Sequence, residues 1–292
     1  MVVSHGKCVG ERFNVKTSGF AGGYVALRAF AALLFDVDGT LAETEELHRR
    51  AFNEAFAFFE LPWIWDVALY RRLLRVTGGK ERIKFFIREI SGDDGSISNE
   101  RIAEIHRFKT ARYGALVETG ACQLRPGVAD LVLAASDRGQ RLAIVTTASR
   151  HNVDALLEVT FGSAWQRYFP VVICGGDVRH KKPAAEAYLK ALDYLELPPD
   201  RCLAIEDSRN GLLAAKGAGI PVLITRSHYF QDDDFSGALR IVGDLTELKD
   251  GLPACEQGGD TGSPSSNAFN VRAMRGDRDR ARRSPAGNPA RR

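Results

Sequence analysis

The feature that most constrains this chain is an apolar run, residues 31–35, that stops abruptly at Asp36-Val37-Asp38-Gly39-Thr40. A short apolar run of this kind predicts a buried strand, and Gly39 lets the backbone turn away from the sheet. Two carboxylates one residue apart then lie at the strand end. One carboxylate can attack phosphorus, and the second can protonate a leaving alkoxide and later deprotonate water. The pattern indicates phosphoryl transfer, and an ordinary acidic turn is the alternative.

A second apolar run, residues 142–145, ends in Thr146 and Thr147 and precedes a helical pattern that extends to residue 157. A hydroxyl and backbone N–H groups at a helix start form an anion site. Both threonines are therefore candidates for a hydrogen bond to phosphate. A threonine at such a position often caps the helix instead, and that alternative stays open.

The dipeptide Lys182-Pro183 precedes another helical stretch, residues 184–192. A proline at the first helical position fixes the helix entry and keeps the preceding residue extended. We therefore expect Lys182 to point into a cleft and to neutralise a phosphoryl oxygen. Lys181 is the second candidate because it does not adjoin the proline, and a solvated helix start is the alternative for both.

A further apolar run, residues 201–205, ends in Glu206-Asp207 and opens onto a helical pattern over 211–219. Paired carboxylates at a strand tip suit Mg²⁺, which prefers oxygen ligands. Helix capping is the alternative. It is disfavoured because Asp36 and this pair are expected at neighbouring strand ends of one parallel sheet, where they would repel one another without a cation.

These four motifs, in this order, resemble those of the haloacid dehalogenase superfamily of phosphatases over residues 31–227. The resemblance implies an α/β fold, with a doubly wound, Rossmann-like parallel sheet as its core. It also implies a site at the carboxyl ends of the strands, where ligands bind in such sheets.

Carried over by motif, the resemblance implies that Asp36 is the nucleophile and that Asp38 is the general acid and base. The residues that would hold the phosphoryl group are Gly39, Thr147 and Lys182. The groups that would bind Mg²⁺ are the Asp36, Glu206 and Asp207 side chains and the Asp38 backbone carbonyl. Dehalogenases of the superfamily lack the second aspartate, so the presence of Asp38 disfavours dehalogenation.

Helical periodicity dominates the segment between the first two motifs, over residues 45–59, 67–76, 81–90 and 99–117. A helical insertion at this point resembles the small cap of the β-phosphoglucomutase and CbbY-like branch, which closes over the site and excludes water. The predicted organisation is an N-terminal extension at 1–30, a catalytic core at 31–42 and 122–250, a cap at 43–121 and a disordered basic tail at 251–292.

Within the insertion, a glycine turn places basic residues at a helix start: Gly78, Gly79, Lys80, Glu81 and Arg82. Backbone N–H groups, Lys80 and Arg82 are expected to grip a second phosphate on the substrate. A simple turn between helices is the alternative.

Three more residues are candidates for contact with the substrate. Glu45 and His48 match the first cap helix of the same branch, where a histidine is present. The match implies that His48 steers the Asp38 proton or contacts the sugar, and a surface histidine is the alternative. Arg150, just after the second motif, is a further phosphate candidate.

The resemblance favours a Mg²⁺-dependent phosphatase that acts on a sugar phosphate or bisphosphate, such as the xylulose-1,5-bisphosphate that CbbY-like enzymes remove beside the Calvin cycle. A phosphosugar mutase shares every catalytic residue and stays open. A non-catalytic regulator that binds phosphosugars is disfavoured because no motif residue is missing. The expected partner is a small phosphorylated sugar, and a monomer is expected.

The charge of this 292-residue chain is +3, but residues 267–292 hold eight arginines against two aspartates. A basic tail can bind nucleic acid or a membrane surface. This Gly-, Ser-, Pro- and Arg-rich mixture is more typical of a disordered segment, so neither partner is expected. Five cysteines without metal-binding spacing predict free thiols in a reducing compartment. The cytoplasm is the expected location, with an organellar address in residues 1–30 as the alternative.

Overall fold

The computed structural model describes residues 27–92 and 97–251. The predictions for the N-terminal extension and the basic tail lie outside these residues, except at residues 27–30 and at residue 251. None of the helices in the described ranges is both long enough and apolar enough to cross a membrane.

A parallel sheet forms the centre of the fold. Within the described residues it has six strands: β1 (Ala32–Phe35), β2 (Arg141–Val145), β3 (Val171–Ile173), β4 (Cys202–Glu206), β5 (Val222–Thr225) and β6 (Arg240–Val242). Their spatial order is β3-β2-β1-β4-β5-β6. Phe35 of β1 lies opposite Ile144 on one side and Ile205 on the other. The order reverses direction beside β1, which confirms the doubly wound prediction and opens a crevice at its carboxyl end.

Helices cover both faces of this sheet. One face packs against α5 (Val128–Asp137) and α6 (Arg150–Phe161), and the other packs against α7 (Glu186–Leu195) and α8 (Arg209–Gly217). Every residue of β1 and β4 is buried. Continuous apolar runs are what strands covered on both faces require, which is why the sequence shows runs here rather than alternation.

The helical insertion lies between β1 and β2. In the described residues it comprises α1 (Glu45–Phe58), α2 (Val67–Leu73), α3 (Gly79–Phe86), a π-helical turn (Ile87–Ser91) and α4 (Asn99–Glu118). Its core is an aromatic cluster that includes Phe52, Trp65 and Tyr70. The expected helices are confirmed, whereas the division into core and cap at residues 43 and 121 stays a prediction.

Short 3-10 segments connect the larger elements, at Leu27–Ala29, Trp165–Arg167, Pro199–Arg201 and Leu245–Gly251. One local prediction is wrong. Helix α7 begins at Glu186, so Pro183 lies in the preceding turn and is not the first helical residue. The lysine before it is therefore positioned by that turn and by its own ionic contacts.

Candidate active site

Three carboxylates converge at the carboxyl ends of β1 and β4. Asp36 directly follows β1, Glu206 ends β4, and Asp207 is the next residue. Because β1 and β4 are paired neighbours, ligand oxygens of the three side chains lie within 4.8 Å of one another. The predicted closeness of Asp36 to the Glu206-Asp207 pair is confirmed.

Lys182 inserts its ammonium group into this cluster. Its Nζ donates to Asp36 Oδ1 at 2.7 Å and to Glu206 Oε1 at 2.6 Å, and also to a backbone carbonyl oxygen of β2. Burial opposes the charged form, but the two carboxylates raise the pKa of Lys182 above its usual value. Lys181 instead pairs with Glu81, with Nζ and Oε1 2.6 Å apart. Lys182 is thus the lysine that the structure brings to the strand ends.

One lysine does not balance three buried carboxylates. Burial, with help from Glu206 and Asp38, raises the pKa of Asp36 to about 8 even though Lys182 opposes the shift. Burial and the Asp36 charge also raise the pKa of Asp207 well above its ordinary value. Glu206 Oε2 and Asp207 Oδ2 are buried and have no hydrogen-bond partner among the described residues. Unpaired carboxylate oxygens in such a cluster fit Mg²⁺, whose preferred ligands are hard oxygens.

Two glycines leave room for these acids. Gly39 has φ 80°, and a Cβ there would lie 1.9 Å from Asp207 Oδ2. A Cβ at Gly211, in α8, would lie 1.8 Å from Glu206 Oε2. Gly39 N–H donates to the Ala42 carbonyl. Gly39 is not among the residues that line the cavity at the strand ends, and its contact with phosphate stays a prediction.

Asp38 belongs to a chain of hydrogen bonds that extends into the insertion. Its Oδ1 accepts from Thr44 Oγ1 at 2.5 Å and lies 3.0 Å from His48 Nε2. On the other side of the imidazole ring, Lys109 Nζ lies 2.5 Å from His48 Nδ1. The ring also stacks on Tyr113, with centroids 3.9 Å apart. His48 is therefore a buried link between Asp38 and Lys109, not a surface histidine.

The charge states along this chain follow from its contacts. Burial would raise the pKa of Asp38, but His48, Thr44 and Lys109 together lower it to about 2. Burial and Lys109 lower the pKa of His48, although Asp38 opposes the shift. A neutral His48 then accepts from Lys109 through Nδ1 and donates from Nε2 to the Asp38 carboxylate.

Sequence reasoning missed Lys109. The residue lies in α4 on the face that carries Ile102, Ile105 and Tyr113, and it is only 4% exposed. A lysine within an otherwise apolar helical stripe is the signal that could have identified it, since such lysines are almost never fully buried without a partner.

A cavity of about 250 Å³ lies between the strand ends and the insertion. The predicted site residues that line it are Asp36, Asp38, Glu45, His48, Gly78, Gly79, Lys80, Arg82, Thr147, Lys182 and Asp207. Glu206 lies beneath them as a partner of Lys182. Arg150 is not part of this lining; it is paired with Asp154 at 2.7 Å, and its side chain is 55% exposed. The structure thus separates Arg150 from the other candidates.

The two threonines of the second motif have different roles. Thr146 is buried, and its Oγ1 accepts from Ala148 N at 3.1 Å. Thr147 lines the cavity. The N-cap of α6 is Ser149, whose Oγ accepts from Asn152 N at 3.3 Å. The N-cap of α8 is likewise Ser208, so neither threonine nor the Glu206-Asp207 pair supplies these caps.

The two basic residues at the start of α3, Arg82 and Lys80, differ in their contacts. Arg82 is buried and donates to Tyr70 Oη at 3.1 Å and to the Leu73 carbonyl at 3.2 Å. Tyr70 in turn donates to Glu45 Oε2 at 2.8 Å. Lys80 is exposed and forms no salt bridge within the described residues. Arg82 is therefore partly engaged in hydrogen bonds within the insertion, whereas the Lys80 ammonium is available to bind a ligand.

The fold and this acid-rich cleft define a class of hydrolase. The family model for haloacid dehalogenase-like hydrolases matches residues 30–219, and the chain belongs to this family. It is an enzyme, a phosphoric monoester hydrolase of that kind.

Similar proteins show to which branch of the family the chain belongs. The chain is 50% identical over 217 residues to "Protein CbbY" of Cereibacter sphaeroides, which covers 74% of this chain and 93% of that protein. The crystal structure of CbbY from Rhodobacter sphaeroides with phosphate is 49% identical, with a TM-score of 0.72, over 76% of this chain and 99% of that one. A mutant of the same protein with xylulose-(1,5)bisphosphate is 48% identical, with a TM-score of 0.73, over 77% and 100%. These similarities confirm the CbbY-like branch.

Proposed function

We propose that this enzyme is a Mg²⁺-dependent phosphatase that hydrolyses a sugar bisphosphate through an aspartyl-phosphate on Asp36. The observation that carries the proposal is a single cavity with Asp36 and Asp38 at the strand ends and groups able to bind phosphate on both of its sides. Lys182 and Thr147 belong to the sheet side, and Lys80 belongs to the insertion. The bisphosphate bound by the similar CbbY protein supports the substrate class.

In the first half-reaction, an oxygen of the ionised Asp36 carboxylate attacks phosphorus and the bond from phosphorus to the sugar oxygen breaks. The pKa of about 8 for Asp36 without a metal would fall with Mg²⁺ bound, because positive charge nearby favours the carboxylate. Lys182 holds Asp36 Oδ1, which leaves Oδ2 as the attacking atom. The departing sugar oxygen takes a proton from Asp38. Because Asp38 is held as a carboxylate, it must first receive that proton. The donor is the N–H of His48 Nε2, 3.0 Å from Asp38, and Lys109 on the other side of the ring can resupply His48.

In the second half-reaction, water attacks the phosphorus of the aspartyl-phosphate and restores Asp36. The depressed pKa of Asp38 keeps it in the carboxylate form that can accept the proton of this water. The groups that would hold Mg²⁺ are the clustered Asp36, Glu206 and Asp207 side chains, together with the Asp38 backbone carbonyl that the family resemblance adds. When bound, Mg²⁺ supplies positive charge that stabilises the phosphoryl oxygens.

The test is a screen of the purified protein with Mg²⁺ against sugar monophosphates and bisphosphates, xylulose-1,5-bisphosphate included. Released phosphate and the remaining sugar phosphate are both measured. We expect stoichiometric phosphate release, with a bisphosphate preferred. Conversion to an isomeric sugar phosphate without release would establish the mutase alternative, and binding without turnover would establish the regulator. A place beside the Calvin cycle, the cytoplasm and a monomeric state stay predictions.

A further inference from the structure

His106 is a cavity residue for which the proposed chemistry gives no role. It lies in α4 one turn before Lys109, on the side of the helix that faces the cavity. Its ring rests on the backbone at the start of α3, because a Cβ at Gly79 would lie 2.4 Å from His106 Nε2. The missing side chain of Gly79 is what leaves room for the imidazole.

Positive charge surrounds this ring. Lys109 of α4, Lys80 of α3 and Lys181 of the segment before α7 all disfavour its protonation. Glu81 is the opposing carboxylate, and it is already paired with Lys181 at 2.6 Å. Burial and the three lysines lower the pKa of His106 to about 3, so the imidazole is neutral at physiological pH.

A neutral imidazole offers one N–H donor and one acceptor. Within residues 27–92 and 97–251, neither ring nitrogen of His106 has a hydrogen-bond partner. His106 contacts the start of α3 and lies beside the free Lys80. It therefore adds a neutral hydrogen-bond donor to a part of the cavity surrounded by lysines. Such a donor can bind an anionic oxygen without adding repulsion to the neighbouring lysines.

We propose that His106 is a specificity-determining residue that donates a hydrogen bond to the second phosphate of the substrate, next to Lys80. This inference rests on the proposed bisphosphate function and adds a residue to it. The first phosphate is held by Thr147 and Lys182, so a monophosphate that fills that site leaves His106 unused.

The experiment compares kcat/KM for xylulose-1,5-bisphosphate and for the two xylulose monophosphates in the parent, His106→Leu and His106→Gln proteins. His106→Leu should lower kcat/KM for the bisphosphate about tenfold, mainly through KM, and leave the reactive monophosphate unchanged. His106→Gln keeps an N–H donor and should recover most of the loss. Arg107→Gln is the matched control, since Arg107 is the next residue of α4 and is exposed.

Three results would overturn the inference while leaving the proposed substrate class intact. Equal losses on both kinds of substrate would make His106 a packing residue, and equal losses in the Leu and Gln variants would remove the donor role. An unchanged preference for the bisphosphate in His106→Leu would remove any role in recognition. A parent enzyme without a preference for the bisphosphate would instead contradict the proposed substrate class, and the inference would fail with it.

Discussion

Asp36 and Glu206 share a single ammonium group, and Asp207 has none within hydrogen-bond distance among the described residues. Buried like charges raise the free energy of the folded protein unless a cation or a proton compensates them. The raised pKa values of Asp36 and Asp207 express that cost. Residues that oppose stability in this way are typical of functional sites.

The nucleophile assignment predicts the effect of Asp36→Asn. The amide is nearly isosteric with the carboxylate but does not attack phosphorus, so turnover should fall below detection. The melting temperature should not fall at neutral pH, because a carboxyl whose pKa is raised to about 8 costs stability there and the amide removes that cost. Phosphate release and thermal unfolding measure the two effects, and activity near the parent level would contradict the assignment.

Lys109 gives a prediction with a defined pH dependence. Burial is the main cause that lowers its pKa to about 7 in the folded protein, from an ordinary value of 10.5. The charged lysine therefore destabilises the fold fully below pH 7, and this cost disappears as the pH rises towards 10.5. Lys109→Met should raise Tm by a few degrees at pH 7, with a smaller gain at pH 9 to 10.

The same substitution should lower kcat about tenfold or more, because it removes the group behind His48 and Asp38. Lys84→Met is the control, since Lys84 is exposed in α3 and should give no pH-dependent change in Tm. A Tm difference between Lys109→Met and the parent that does not vary with pH would show that the ammonium is not a buried charge.

At the scale of elements, the sequence predicted the strands that carry the site because parallel strands are buried on both faces and read as continuous apolar runs. Their polar tips then indicated Asp36, Thr146 or Thr147, and Glu206-Asp207 as candidates, and the family resemblance selected Thr147. Lys182 was predicted by its proline neighbour, although Pro183 does not begin the helix as expected. Its position depends instead on the two carboxylates that bind it, which are distant in sequence.

Other residues depend on contacts between elements, which a linear pattern does not contain. Lys109 and His106 reach the cavity only because α4 packs beside α1 and α3. Arg150 begins α6 as expected, but it is paired with Asp154 along the helix and is not part of the cavity lining. Sequence reasoning therefore found the strand-end half of the site more completely than the helical half.

The strand-end carboxylates predict a measurable response to Mg²⁺. Mg²⁺ should raise the Tm of the parent by relieving repulsion among Asp36, Glu206 and Asp207. Asp207→Asn should raise Tm without Mg²⁺ at neutral pH. That gain should shrink towards pH 4, because a folded-state pKa above the unfolded value costs stability that grows as the pH rises above about 3.8.

Asp207→Asn should also lose most of the Mg²⁺-induced shift, and it should need more Mg²⁺ for turnover. Asp200→Asn is the matched control, since Asp200 is outside the cavity lining, in the 3-10 segment before β4. Thermal unfolding across a Mg²⁺ titration, with a chelator as the starting point, measures the effect. A parent Tm that does not respond to Mg²⁺ would contradict the proposed metal site.

On the scale of the whole molecule, the helical insertion packs against the carboxyl end of the sheet through contacts that surround the cavity. Glu81 of α3 pairs with Lys181, and Thr77 Oγ1 donates to the Lys182 carbonyl. From the segment after β5, Tyr229 Oη donates to Glu46 Oε2 at 2.9 Å, and its ring joins the aromatic cluster of the insertion. The cavity is thus bounded by two packed units, so a substrate has to satisfy both sides.

This two-sided arrangement predicts different outcomes for the two basic residues at the start of α3. A charged hydrogen bond to phosphate contributes about 1.5 to 3 kcal/mol, so Lys80→Ala should weaken kcat/KM for a bisphosphate about ten- to a hundredfold. The matching monophosphate should be unaffected, because in the proposed binding mode it fills the Thr147 and Lys182 side alone. Lys84→Ala, in the same helix and exposed, should change neither.

Arg82→Ala should lower activity on both substrates and reduce Tm, because Arg82 also ties α3 to Tyr70 and to the Leu73 carbonyl. Losing it leaves buried partners of the insertion unsatisfied, which costs stability whatever the substrate. The measurements are kcat/KM for both substrates and thermal unfolding in all variants. A loss confined to the bisphosphate in Arg82→Ala, with unchanged Tm, would show that Arg82 acts as a phosphate ligand. Equal losses on both substrates in Lys80→Ala would move substrate selection away from the start of α3.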